Sequence, residues 1–329
     1  MRRLILVYNP RSARYARVQK EVLDPARKLK GWMVGKYIVR ASRVDDNVDR
    51  LARILQPGDL VLAAGGDATA SIAMNAVMRA NQTLFARSFG SDFSQLALAK
   101  LDLRQVIKLA VLGYGNFNDC ANALASFSFD DIIAHSGQPE LVWPLDVYVN
   151  QKHWRYAFNY FGLGLLAEAC AVFDQPKVRA KLKKCFRTLR SFFALFSWWL
   201  KAPRNTFLPP FRLAFAEHLT ALSVSDFLAI NSPRVARCLK GHAHLSQKQH
   251  FTVATFSLGH FFKALSFSLR AFLRPIPGAT VTAAQLSFFR PATVMLQAEG
   301  EYEKKTQVSQ VFVKKAAFPL PVISFRAKK

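Results

Sequence analysis

Asn9-Pro10-Arg11-Ser12, Gly65-Gly66-Asp67-Ala68-Thr69 and Gly113-Tyr114-Gly115-Asn116-Phe117-Asn118-Asp119 are built from the residue types that cradle phosphate. Glycine lets a backbone come close to an anion, and the free N–H groups of a helix start supply donors and positive potential. Each segment follows a short apolar run, and the second and third lead into helical patterns. One such turn is also an ordinary helix entry, with Asp67 or Thr69 as its cap. Three on successive strand ends, on one edge of one sheet, point to a single anion site. A different chemistry is offered by Glu299-Gly300-Glu301. Two carboxylates within a tight turn can stand together, one as a base while the other holds a metal or tunes its pKa. The alternative reading is a solvated hairpin turn.

The elements that must position these residues alternate in the first third of the chain. Leu4 to Tyr8, Lys36 to Val39, Asp59 to Ala64 and Leu109 to Leu112 read as strands. Val18 to Leu29, Val48 to Leu55 and Ser71 to Ala80 carry apolar residues at helical spacing. Strand and helix in turn predict a parallel sheet with crossover helices, whose ligands bind at the carboxyl ends of the strands. From Leu141 the texture changes. Leu145 to Val149, Phe211 to Phe215, Phe227 to Asn231, Phe251 to Phe256, Val281-Thr282 and Thr293 to Gln297 read as strands between polar turns. This half is expected to be antiparallel, a sandwich or partial barrel. The domains expected are 1–140, α/β and nucleotide-binding; 141–315, β-rich with an inserted helix; and 316–329, a tail packing back on the first.

The chain has 329 residues, 51% of them hydrophobic, which excludes a disordered or low-complexity protein. Forty-six Lys and Arg face 21 Asp and Glu, a net charge of +25. Such a balance implies an acidic partner: nucleic acid, an anionic membrane surface or a phosphorylated ligand. No recognition module for nucleic acid is legible, so no specific nucleic acid is expected. Four scattered Cys give neither a disulfide framework nor a zinc ribbon and suggest a reducing compartment. His242, His244, His250 and His260 lack carboxylate or Cys partners at ligand spacing and read as residues of a basic loop. The apolar run after Met1 ends at Asn9-Pro10, too soon for a signal peptide. The expectation is a cytoplasmic protein, peripheral at the inner face of the membrane and possibly a homodimer.

Lys177 to Arg204 is the most unusual stretch in composition. Cations, Arg187 and Arg190 among them, accompany Phe186, Leu189, Phe193, Phe196, Trp198, Trp199 and Leu200. Such a helix can lie in a membrane interface, with Trp198 and Trp199 at headgroup level and Arg187 and Arg190 on anionic lipid. It can equally pack its apolar face on the second domain. His260 to Arg274 is a second stretch of the same kind.

These segments together resemble the catalytic domain of the diacylglycerol kinase family, which includes bacterial lipid kinases and sphingosine kinases. That family opens with a strand and Asn-Pro-x-Ser-Gly, where this chain has Asn9-Pro10-Arg11-Ser12-Ala13. It continues with Gly-Gly-Asp-Gly-Thr, here Gly65 to Thr69, and Pro-x-Gly-Thr-x-Asn-Asp-Phe-Ala, here Gly113 to Ala121. Asp59 before the central strand fits too. Tyr156 to Gly164 is similar to the segment after the family's domain junction, and Leu296 to Glu301 to its apolar strand with Asp-Gly-Glu. The resemblance implies an N-terminal α/β domain of the NAD-kinase and diacylglycerol-kinase type. It implies ATP and Mg2+ as cofactors, with nucleotide contacts at Asn9, Pro10, Ser12, Gly65, Gly66, Asp67, Ala68, Thr69, Gly115, Asn116, Asn118 and Asp119. It also implies Glu301 or Glu299 as the base that takes the proton from a lipid hydroxyl. The metal ligands stay unassigned. Ala68 stands for the family's Gly, Asn116 for Thr, Gly113 for Pro and Glu299 for Asp. His242 to Phe251 has no carboxylate where bacterial members tend to carry an Asp-Gly for a structural magnesium. The expected function is an ATP-dependent lipid kinase acting on diacylglycerol or a related long-chain lipid. A catalytically silent lipid- or nucleotide-binding protein on the same fold, and a basic nucleic-acid-binding protein, are the alternatives.

Overall fold

The computed structural model describes residues 2–41, 43–89, 102–115, 118–124, 128–164, 208–215, 218–222, 224–235, 239–242, 244–256, 273–299 and 301–324, with 167, 168, 171, 175, 266 and 270. The chain divides into two units: Met1–Pro144 with Leu245–Lys248 and Ala316–Lys329, and Leu145–His244 with Gln249–Lys315. The division falls at Pro144, a little beyond residue 140, because Glu140–Val142 is a strand of the first unit's sheet.

That sheet has six strands in the order Trp32–Ile38, Arg2–Tyr8, Leu60–Gly65, Lys108–Gly113, Leu320–Val322, Glu140–Val142. All neighbours run parallel except the last pair. Leu60–Gly65 is buried at every position and Arg2–Tyr8 from Leu4 onward. A parallel strand is covered on both faces, so it reads as one unbroken apolar run. The helix Asp67–Phe89 follows Gly65-Gly66 and is buried over most of its length, from Ala70 to Phe85. Two of its buried polar side chains, Asn75 and Asn81, are paired, Asn75 Nδ2 donating to Ser71 O at 2.9 Å. Asn81 donates to Ile107 O at 2.9 Å and accepts from Ile107 N at 3.0 Å, which fixes the helix to the entry of the fourth strand. After the first strand the chain coils through Tyr15–Val18, a π-helical turn Gln19–Leu23 and Asp24–Ala26, with Val18, Val22 and Leu23 in the core.

The second unit is a ten-stranded antiparallel sheet. Its path runs Ala279–Val281, Phe251–Phe256, Asp226–Ile230, Tyr160–Gly164, Ala283–Ala298, Glu301–Lys315, Leu145–Val149, Lys152–Ala157. Phe211–Phe215 also pairs with Ala283–Ala298, and His218–Leu222 with Phe211–Phe215. The long strand Ala283–Ala298 therefore serves two neighbours along one side, Phe211–Phe215 near its start and Tyr160–Gly164 at its end. Its register against Glu301–Lys315 breaks between Ser287 and Ala292 and again between Ala292 and Val294. Such bulges bend a strand, and Pro291 stands where its missing N–H costs no ladder bond. Phe161, Phe211, Phe227, Phe251, Leu286 and Val311 share one core. Beside this sheet, Arg234–Val235 and Leu239–Lys240 form a separate two-stranded pair, and Tyr160, Leu228, Ile230 and Ala254 share a second apolar cluster. The inserted helix expected between Lys177 and Lys201, with Arg187, Arg190, Trp198 and Trp199, lies outside the described residues.

Candidate functional site

The parallel register sets Tyr8 beside Ala64, and Gly65 beside Gly113. Asn9 to Ser12, Gly65 to Thr69 and Gly113 to Asp119 consequently leave the sheet at the same carboxyl edge, where open α/β sheets bind ligands. Asp59 precedes its strand and lies at the other end. It is buried, 3.3 Å from the Arg3 guanidinium, and accepts from Gln56 N at 2.8 Å. Burial pushes its carboxyl pKa up, against the pull of the Gln56 bond and Arg3. Its role is to close the sheet's amino edge.

At the carboxyl edge the first turn is held by its own side chain: Asn9 Oδ1 accepts from Arg11 N at 2.9 Å, and Ser12 N donates to Asn9 O at 3.1 Å. Pro10 is exposed and Ser12 half-buried. The second and third turns touch each other. A Cβ placed on Gly115 would lie 2.4 Å from Gly66 Cα, so the two backbones pass with no room for a side chain. Tyr114 N donates to Gly65 O at 2.7 Å and completes the junction. Asn118, in the left-handed region at φ 59, accepts from Gly115 N at 2.6 Å through Oδ1. Thr69 is buried over Gly65, where a Cβ would meet its Oγ1 at 2.6 Å.

Asp67 joins the two helices of the site. It opens the helix Asp67–Phe89, and its Oδ1 accepts from Cys120 N at 3.2 Å in the first turn of Asp119–Leu124. Asp119 is buried. Ala68, where the resemblance expects Gly, is exposed in a helical turn and is not among the residues with positive φ. The backbone there demands no glycine. Asn116 lies outside the described residues. Behind the third turn, Tyr114 is buried under the Arg17 guanidinium at 5.6 Å; burial first, then the Glu21 carboxylate, push its hydroxyl pKa far up.

In the second unit Ala298 pairs with Glu301, and Glu299 lies in the turn between their strands. The two carboxylates there have different surroundings. Glu299, at φ 53, is 1% exposed. Its Oε1 accepts from Asn159 N and, at 3.3 Å, from Tyr160 N, while Oε2 accepts from Asn159 Nδ2 at 2.7 Å. A buried carboxylate is tolerable with such charge-assisted bonds. Glu301 is half-buried. The bonding continues inward: Asn231 Nδ2 donates to Phe158 O at 2.8 Å, and Lys315 Nζ donates to Asn231 Oδ1 and, at 2.7 Å, to His244 O. His244 is not the surface residue its sequence context suggests. It is buried, with Nε2 2.9 Å from Thr252 Oγ1. Desolvation pushes the Lys315 amine down to about 7.

A further buried carboxylate, Asp146, lies outside the motifs. Asp146 accepts from Tyr148 OH at 2.9 Å and lies 3.3 Å from His153 Nε2, and burial pushes its pKa up to about 6. A charge inside an otherwise apolar strand, Leu145–Val149, was the available signal. Among the described residues no three His, Cys, Asp or Glu group as metal ligands.

Residues 3–138 match the family model of the diacylglycerol kinase catalytic domain. The resemblance carried by the three turns therefore holds through that whole stretch. The chain shares its fold with a diacylglycerol kinase from Bacillus anthracis str. Sterne at 11% identity and a TM-score of 0.63, covering 99% of this chain and 97% of that one. A second structure from the same strain, provisionally assigned as a diacylglycerol kinase, is 14% identical with a TM-score of 0.59, covering 100% and 98%. Among curated proteins none matches.

Proposed function

We propose that the protein transfers the γ-phosphoryl group of ATP to a hydroxyl of diacylglycerol or a related long-chain lipid, working peripherally on an anionic membrane surface from the cytoplasmic side. The observation that carries this reading is the carboxyl edge of the first sheet, where three turns emerge together and two of them meet through Gly66 and Gly115. Bare backbone there lets a phosphate come close to a helix start. The match of residues 3–138 to a diacylglycerol kinase catalytic domain supports a lipid as acceptor.

Magnesium fits this edge. It is commonly held by one or two carboxylates with phosphate and water completing its shell, so a dedicated protein cage is unnecessary. Asp67 and Asp119 would hold it beside the nucleotide, where it would neutralise charge on the phosphates. The chain's own contribution is positioning, because phosphoryl transfer asks little covalent chemistry of the protein. The Gly65 to Thr69 and Gly115 to Asn118 turns orient the phosphates. Glu301, the more accessible carboxylate of its turn, accepts the hydroxyl proton as the phosphoryl bond forms. Glu299 holds the turn to Asn159 and Tyr160 and positions Glu301.

One observation favours a second reading, binding without transfer. Glu299 occupies the family's Asp position, yet its carboxylate is already engaged by three donors. The deciding experiment incubates the full chain with radiolabelled ATP, Mg2+ and a total lipid extract, and follows label into the chloroform phase. Transfer supports the kinase. ATP binding without transfer supports the second reading, and no ATP binding at all overturns both.

A further inference from the structure

Large apolar side chains exposed among the described residues are few: Met33, Ile38, Ile54, Leu273, Phe289 and Tyr302. Isolated exposed apolar residues are ordinary. Phe289 is set apart by its backbone and its charges. It lies where Ala283–Ala298 loses register with Glu301–Lys315 between Ser287 and Ala292, so Phe289, Arg290 and Pro291 leave the ladder. The neighbouring Phe288 is 8% exposed and belongs to the core, whereas Phe289 is 55% exposed. The Arg212 guanidinium covers one face of the Phe289 ring at 5.2 Å from its centroid. Arg290 is exposed beside it. Ala283–Ala298, Phe211–Phe215 and His218–Leu222 are paired in succession and contain no Asp or Glu, so this positive charge has no counter-charge on its own strands.

We infer that Phe289, with Arg212 and Arg290, is an interfacial anchor for an anionic bilayer. An aromatic ring under one guanidinium, with a second exposed arginine next to it in the chain, suits the boundary where ring and acyl chain meet and arginine reaches lipid phosphate. Single-stranded nucleic acid uses aromatic faces as stacking platforms, and here Arg212 already occupies one face. The inference deepens the lipid-kinase reading by naming a membrane contact, and rests on it only in taking a bilayer as the place where the acceptor is met. Binding is measured without nucleotide, so its failure is read separately from failure of phosphoryl transfer.

The test is co-sedimentation of the full chain with vesicles of two parts phosphatidylcholine to one part phosphatidylglycerol, at physiological salt. Phe289→Ala lowers partitioning roughly three- to tenfold, and Phe289→Trp restores it. The double variant Arg212→Gln, Arg290→Gln lowers it further and flattens its salt dependence. Because these side chains are exposed, all variants keep the wild-type melting temperature, which is checked alongside. Wild-type partitioning in both Phe289→Ala and the double variant overturns the inference. So does tighter binding of a single-stranded oligonucleotide than of vesicles, with that binding lost in Phe289→Ala.

Discussion

Gly66 and Gly115 face each other across two turns: a methyl on Gly115 would stand 2.4 Å from Gly66 Cα, and one on Gly66 would stand 3.2 Å from Gly115 Cα. The two turns therefore share a single position, and whatever phosphate one of them binds the other also approaches.

Gly115→Ala forces backbone against backbone and moves one turn off the other. It is expected to cost about 1–3 kcal/mol in unfolding free energy, the usual range for overpacking, and to weaken ATP binding by calorimetry. Ala68→Gly serves as the contrast. Ala68 is exposed on a helical turn, so this change costs at most about 1 kcal/mol and leaves affinity within a few-fold.

Asp67 both caps a helix and presents a charge, and two variants separate the roles. Asp67→Asn keeps an oxygen for Cys120 N–H and is expected to keep the melting temperature while losing about tenfold or more in Mg2+-dependent ATP affinity. Asp67→Ala loses the cap as well, at about 1 kcal/mol of stability. Equal ATP affinity in wild type and Asp67→Asn would remove Asp67 from the nucleotide site.

The Glu299 and Glu301 variants are expected to fail differently. Glu301→Gln retains the fold and loses turnover on the order of a hundredfold with ATP affinity unchanged. Glu299→Gln sets an amide NH2 among the donors of Asn159 and Tyr160, and destabilises by about 1–3 kcal/mol in urea unfolding. Full kinase activity in Glu301→Gln would place the base elsewhere.

Two buried groups give stability slopes of opposite sign. The folded pKa of Asp146, raised to about 6 from 3.8, means the native state holds a proton that the unfolded chain has released. Its contribution is complete below pH 3.8 and lost as pH rises through about 6. Lys315, lowered to about 7 from 10.5, does the reverse: the unfolded chain binds the proton, and stability rises with pH between those values. Urea titrations across pH should lose the acid-side fall in Asp146→Asn and the alkaline-side rise in Lys315→Met.

Much of the first unit is legible in the sequence because its central strands are buried on both faces. Leu4 to Tyr8 and Leu60 to Ala64 are unbroken apolar runs and appear as strands with little shift in their ends. In Trp32–Ile38 only the end from Lys36 carries a strand signal, since this edge strand mixes exposed and half-buried residues around Gly35. Glu301–Lys315 carries no legible strand signal along its whole length. Its first half carries Glu301, Glu303, Lys304 and Lys305 and looks like solvated loop, while only its second half faces the core through Val311 and Val313. Glycines at both turns were visible, but their contact was not, because nothing local encodes an approach between residues so far apart in the chain. The same holds for Asn159, Glu299, Asn231 and Lys315, whose pairing exists only once four separate strand ends are assembled.

The strand Leu320–Val322 is inserted between Lys108–Gly113 and Glu140–Val142, with Val322 beside Leu109 and the Phe318 ring 5.7 Å from Phe85. A ribosome that has released Met1–Pro144 has therefore released a sheet with a vacant lane. At roughly 5–20 residues per second the missing strand follows on the order of ten seconds or more later. Throughout that interval the nascent chain exposes the unpaired edge of Lys108–Gly113, a template for any passing strand. A chain truncated at residue 144 is expected to leave that edge unpaired and to aggregate more readily than the full chain, as light scattering at matched concentration would show.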